Sequence, residues 1–314
     1  MHIRTGTYDL GIRLIVALLW LNLLPLAGQE QAFYAQHFNN RMVYNPSYAG
    51  DIGIPGIVLH SRQQWLGWEG APSSNLLMAH SRLKDKNAGA GISLAYDRMG
   101  PLVYGGFSGI YSYTVQLSGK YTLGMGLQAE LRYRQLKLSQ LQLVDQGDLL
   151  FSEDPGFKVS PNFGVGFHLD HEKYSVNLSI PRLLNEKLSP FEGTSSQWSR
   201  FGRWLYFGAD MKLSVSQEWT VIPSIQMAIS KGRSPWIEVS GHMVYLEKIR
   251  AGLFYRYDRT FGAMVSYVIR GSLIFGYGYD ISLGFPMVNP GTHEIYLGYN
   301  LPFNKLKTIS PRQF

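Results

Sequence analysis

The chain has 314 residues, a net charge of +7, no cysteine, 34 glycines, 14% aromatic and only 16% charged residues. The absence of cysteine excludes a disulfide framework, a thiolate metal site and a lipid anchor on cysteine. Lys and Arg are scattered rather than clustered, which excludes the basic footprint of a nucleic-acid binder. The glycine-rich, aromatic-rich, charge-poor balance fits a chain that shows aromatics to lipid.

The N-terminus reads as a targeting segment. Arg4 and Arg13 give a basic start, Leu14 to Leu26 is apolar, and Ala27-Gly28 supplies small residues for cleavage. The apolar run is too short for a spanning helix, so residues 1–28 are expected to be a signal peptide. Residues 29–55 follow as a polar-aromatic arm, expected on the periplasmic side. The arm contains Asn45-Pro46-Ser47-Tyr48-Ala49-Gly50. The residue before proline avoids helix and Gly50 tolerates positive φ, so this motif reads as a shaped turn. An extended apolar piece, 56–64, then leads to a compact aromatic turn, Trp65-Leu66-Gly67-Trp68-Glu69-Gly70-Ala71-Pro72.

Beyond the signal, the pattern is period two. Tyr121, Leu123, Met125, Leu127, Ala129, Leu131 and Tyr133 share one face, while Lys120, Thr122, Gly124, Gly126, Gln128, Glu130, Arg132 and Arg134 share the other. Similar dyads predict strands near 56–65, 74–83, 88–98, 102–117, 119–135, 160–171, 173–182, 201–215, 218–230, 235–246, 249–258, 260–270, 271–281 and 292–303. About 14 strands is an even count, as a bacterial outer-membrane barrel requires. Tight turns near 85–87, 118–119, 171–173, 216–218, 246–248 and 270–271 alternate with longer links at 66–73, 136–159, 183–200 and 282–291. Short periplasmic turns and longer external loops are the outer-membrane arrangement. Short links at Met99-Gly100, Lys231-Gly232 and Asp258-Arg259 break the rule. The predicted fold is therefore an all-β, transmembrane antiparallel barrel over 56–303, with a short tail over 304–314. Phe303 and Phe314 are the alternative last-strand aromatics.

The inward face is expected to carry both signs of charge: Asp97, Lys120, Glu130, Arg132, Arg134, Asp170, Asp210, Lys212, Glu238, Arg256 and Glu294. Mixed charge predicts a filled, hydrogen-bonded interior rather than a constriction of single sign. No catalytic, cofactor-binding or metal motif emerges. His168 and His171 fall on opposite faces of a strand, and the Gly-x-Gly pairs never complete a phosphate loop. Those glycines read instead as points of close approach. A lipid-cleaving enzyme built from residues such as Ser93, His168 or His242 stays open as a minor alternative, since such a site is defined by geometry.

Two linked motifs carry a resemblance. Asn45 to Gly50, followed by Arg62-Gln63-Gln64-Trp65 with Gly67 and Gly70-Ala71-Pro72, resembles the PorP/SprF family of type IX secretion outer-membrane proteins. The resemblance implies a non-enzymatic barrel in the cell outer membrane that delivers or anchors secreted cargo, including gliding adhesins, at the cell surface. Its implied partners are the C-terminal signal domain of a cargo protein and periplasmic secretion components, alongside outer-membrane lipid. Ordered loops on a rigid barrel are where binding resides, so Trp65, Trp68, Glu69, Asn45, Pro46 and Tyr48 are the partner-binding candidates. They read equally as girdle and turn packing. A general porin shares every barrel feature and is the alternative function.

Overall fold

A computed structural model describes residues 33–51, 56–83, 87–117, 119–140, 154, 156–187, 200–283 and 290–301. The expected signal peptide, the tail and both C-terminal phenylalanines lie outside the described residues. The strands in chain order are β1 (Gly56–Gln63), β2 (Ser73–Arg82), β3 (Ala88–Met99), β4 (Leu102–Gln116), β5 (Thr122–Leu136), β6 (Lys158–Asp170) and β7 (Tyr174–Ile180). Next come the two-residue pair β8 (Glu186–Lys187) and β9 (Arg200–Phe201), then β10 (Leu205–Met211) with its continuation β11 (Leu213–Ser214). The series ends with β12 (Trp219–Ile229), β13 (Trp236–Tyr245), β14 (Ile249–Arg256), β15 (Thr260–Ile269), β16 (Leu273–Ser282) and β17 (Thr292–Asn300). Setting aside the β8–β9 ladder, and counting β10 with β11 as one strand, these form a closed antiparallel barrel of 14 strands. Successive strands pair along the chain, β1 pairs with β17, and β10 joins β7 to β12.

The period-two pattern dictates this closure. Leu127 is 61% exposed and Leu253 70%, and the same outward face carries Leu59, Leu94, Phe107, Leu131, Phe163, Tyr267 and Leu297. An apolar belt of this extent is a lipid-facing surface, not a water-facing one. The opposite face holds Glu130, Arg132, Asp170, Asp210, Glu238, Arg256 and Glu294, all buried in the lumen. Lys120 corrects the expected inward set: it lies in the β4–β5 turn, exposed, and pairs with Glu172 of the β6–β7 turn at 2.6 Å. The β15–β16 hairpin turns through Arg270 and Gly271 at φ 49° and 74°, the positive-φ pair that matches strand twist.

The largest departure from the sequence reading is the N-terminal arm. Its described part, residues 33–51, is not a periplasmic extension but a plug folded inside the barrel. It forms three short 3₁₀ turns, Ala35–Asn39, Arg41–Val43 and Pro46–Tyr48. Phe33 to Phe38, Asn40, Met42 and Asn45 to Gly50 are buried. The reason is physical: a 14-strand barrel encloses more space than its own side chains fill, and the mixed-charge wall supplies partners for a polar segment that a greasy core would reject.

Candidate functional site

The plug meets the wall all the way round. At its start, Phe33 stacks on Trp236 of β13 with ring centroids 4.3 Å apart and planes 7° from parallel. Trp204 and Tyr206 complete that apolar corner. Glu294 of β17 takes hydrogen bonds from the backbone N–H groups of Ala35 (2.8 Å) and Gln36 (2.6 Å), donors that a helix start leaves without internal partners. The Gln36 amide donates to the carbonyls of Val265 (3.2 Å) and Tyr277 (3.0 Å).

Glu294 also anchors a ladder of ion pairs along one wall. His60 Nε2 lies 2.7 Å and Arg62 3.2 Å from its carboxylate. Arg62 reaches Asp280 at 2.8 Å, Asp280 reaches Arg256 at 3.3 Å, and Arg256 reaches Glu238 at 2.8 Å. On the facing side Arg41 of the plug pairs with Asp210 of β10 at 2.9 Å. The Phe38 ring lies between the guanidinium groups of Arg41 (4.5 Å) and Arg250 (4.3 Å). Desolvation penalises such charges, and pairing and hydrogen bonds offset the penalty. The plug contributes Arg41 to Asp210 and two backbone N–H groups to Glu294.

The Asn45–Gly50 turn seats on a floor of small residues. Asn45 Oδ1 accepts from Ser47 N–H (3.0 Å) and from the Ser47 hydroxyl (2.7 Å), while Asn45 Nδ2 donates to the Phe167 carbonyl (2.9 Å). Tyr48 stacks on His168 at 4.3 Å, and Ser112 donates to the Ala49 carbonyl at 2.5 Å. Burial pushes the Tyr48 hydroxyl above the ordinary phenol range. A Cβ on Gly126 would stand 2.2 Å from Ser47 N, and one on Gly166 2.0 Å from Asn45 Oδ1. The turn therefore lies directly on the strand backbone, the close approach that strand glycine permits.

The six candidate contact residues do not form one site. Asn45, Pro46 and Tyr48 are buried in the lumen at the short-turn end, against β4, β5 and β6. Trp65, Trp68 and Glu69 stand at the opposite end of β1, in the β1–β2 loop. That loop is ordered by backbone hydrogen bonds within itself and to neighbouring loops: Gln64 N–H donates to Pro72 (2.9 Å), Leu66 to Gly291 (3.3 Å), and Gly100 to Gly70 (2.9 Å). Trp65 is half-buried with φ at 49°, whereas Trp68 is 52% exposed and Glu69 is also exposed. Ser93, His168 and His242, the residues considered for hydrolysis, sit on β3, β6 and β13 and face the lumen rather than lipid.

The sequence profile described as type IX secretion system membrane protein PorP/SprF matches residues 26–299, a span that includes both the plug and the barrel. The chain belongs to the PorP/SprF family. It is an outer-membrane barrel of the type IX secretion system. No curated protein matches this chain. Among solved structures it is similar to the Pseudomonas putida toluene transporter TodX, at 12% identity and TM-score 0.49, covering 83% of this chain and 94% of that one. It is also similar to the Ralstonia pickettii toluene transporter TbuX, at 10% identity and TM-score 0.48, covering 82% and 92%. A third is the Acinetobacter baumannii outer-membrane protein Omp33, at 7% identity and TM-score 0.45, covering 80% and 100%.

Reading the sequence missed His60 and Arg62 as members of the buried ion-pair ladder, because β1 reads as an apolar strand. Both lie at even spacing from Gly56, the face that alternates with Ile57 and Leu59, and that spacing was the available signal. The same spacing joins His168 to Asp170 on the inward face of β6.

Proposed function

We propose that this PorP/SprF-family barrel holds particular secreted proteins at the cell surface. In this reading the long-loop end receives the C-terminal signal domain of a cargo protein, and the short-turn end faces periplasmic secretion components. The observation that carries the reading is the filled lumen. A barrel whose interior is occupied by its own residues 33–51, tied by ion pairs and stacked rings, is built as a scaffold with two usable ends. A solute channel would keep that cross-section for its solute. The exposed Trp68 on an ordered loop supports contact at the long-loop end, since large aromatics on rigid frames are good interface anchors.

The test is Trp68→Ala. Loss of a central aromatic anchor commonly costs about 2 kcal/mol or more. The variant should keep the barrel folded in the membrane at normal abundance, read by the heat-modifiable gel shift. Cargo exposed to added protease on intact cells should fall. Normal display would remove this loop from the interface.

A further inference from the structure

We propose that Asp51, at the exit of the plug, and His168 and Asp170, on the inward face of β6, form a site for a divalent cation of the zinc class. The cation fastens the plug to the wall. One donor atom from each of the three residues lies within 4.8 Å of the other two. His168 is fully buried, and its Nε2 has no hydrogen-bond partner. That nitrogen stands 3.7 Å from Asp51 Oδ1 and 3.8 Å from Asp170 Oδ2, beyond hydrogen-bond length.

The orientation of His168 follows from its neighbours. Asn45 Nδ2 points at the Phe167 carbonyl, so Asn45 Oδ1 faces Ser47. Two oxygens 2.7 Å apart need a hydrogen between them, and only the Ser47 hydroxyl carries one. Ser47 Oγ is then free to accept, and it accepts from His168 Nδ1 at 2.8 Å. With Nδ1 committed to Ser47, Nε2 is the ring atom that faces the two carboxylates. A divalent cation placed among the three donor atoms would be held by all of them at once.

An imidazole ligated through Nε2, oriented by a hydrogen bond from Nδ1, is the usual arrangement of a metal-binding histidine. One nitrogen and two carboxylate oxygens suit zinc better than calcium or magnesium, which prefer all-oxygen sets. Zinc ligands bonded at about 2.0–2.2 Å stand roughly 3.3–3.6 Å apart in a tetrahedron, so the atoms must draw together on binding. The ring itself is fixed by Tyr48 stacking on one side. On the other, a Cβ on Gly124 would stand 2.0 Å from the imidazole.

The experiment uses the tag-free barrel in detergent, stripped with a chelator and titrated with zinc chloride by calorimetry. The expected result is one zinc per chain, undisplaced by a hundredfold excess of magnesium. Asp51→Asn and His168→Gln should each weaken binding at least tenfold. Asp51 lies outside the strands, so the folded state of that variant is checked by the gel shift and keeps the test valid if His168→Gln fails to assemble. Glu172→Gln, on the nearby turn, should bind zinc like the parent. Zinc should also slow protease release of the plug in the parent but not in Asp51→Asn. Absence of one-to-one binding by the folded parent would overturn the proposal, as would parent-like affinity in folded Asp51→Asn. So would nitrogen NMR showing His168 protonated on both nitrogens with zinc present. Cargo display does not enter these readouts, so failure here is distinct from failure of the proposed function.

Discussion

At the residue scale, Glu294 shows how the wall and the plug depend on each other. Its carboxylate accepts from two plug N–H groups and also meets His60 and Arg62. Glu294→Gln removes the charge while keeping the shape, and turns an amide N–H₂ toward groups that are themselves donors. Breaking a buried pair by changing one partner costs about 3–5 kcal/mol. The lower end is expected here, because Arg62 keeps Asp280. Equilibrium unfolding in urea from lipid vesicles reads the loss. Gly166→Ala tests the floor beneath the turn. The added methyl would stand 2.0 Å from Asn45 Oδ1 and 2.9 Å from Pro46 Cδ, so the turn must lift. Overpacking of this kind costs about 1–3 kcal/mol. Faster hydrogen exchange is expected at Ser47 and Ala49, with the barrel amides unchanged. Such glycines were legible in the sequence as points of close approach, but what approached them was not. The partner is remote in sequence: Asn45 meets Phe167, 122 positions away.

At the element scale, the strands were legible and the plug was not, for one reason. A strand between lipid and lumen repeats its environment every two residues, so its sequence alternates. β5 shows this directly: Leu127 and Leu131 are exposed outward, while Gly126, Glu130 and Arg132 are buried inward. The plug has no such period, because its partners arrive from all sides of the wall, and its Gln, Asn and His content reads as solvent-exposed. Polar residues are buried there because wall groups such as Glu294, the Val265 and Tyr277 carbonyls and the Phe167 carbonyl take up their hydrogen bonds. The β5 assignment yields a paired test. Leu127→Arg places a charge in the lipid belt and should impair assembly by about 2–4 kcal/mol if near the midplane. Gln128→Arg, one residue on, faces the lumen beside Ser108 and should be much milder. The ratio of heat-modifiable to unfolded protein after folding into vesicles compares the two, and the reverse order would contradict the observed register.

At the scale of the whole molecule, the question is what the plug does to the barrel. Eight strands nearly fill themselves with side chains, whereas barrels of 16 to 18 strands leave an aqueous channel. A 14-strand barrel falls toward the open end of that range, so the described plug fills cross-section that would otherwise admit water. Its contacts reach β1 through Tyr34 and His60, β4 through Ala49 and Ser112, β6 through Tyr48 and His168, and β13 through Phe33 and Trp236. It also reaches β10 through Arg41 and Asp210. Contacts spread around the ring in this way make the plug a crossbar rather than a liner along one side. Parent protein in planar bilayers should therefore show little steady conductance. Deleting 33–51, with the targeting segment retained, should leave a barrel that still shifts on unheated gels. The strands pair through their own backbone, and the apolar belt is untouched. That barrel should conduct in stable steps, with noise from lumen charges that have lost their plug partners. Free conduction by the parent would favour the general porin. A deletion variant that folds yet stays closed would show that residues outside 33–51 also block the lumen.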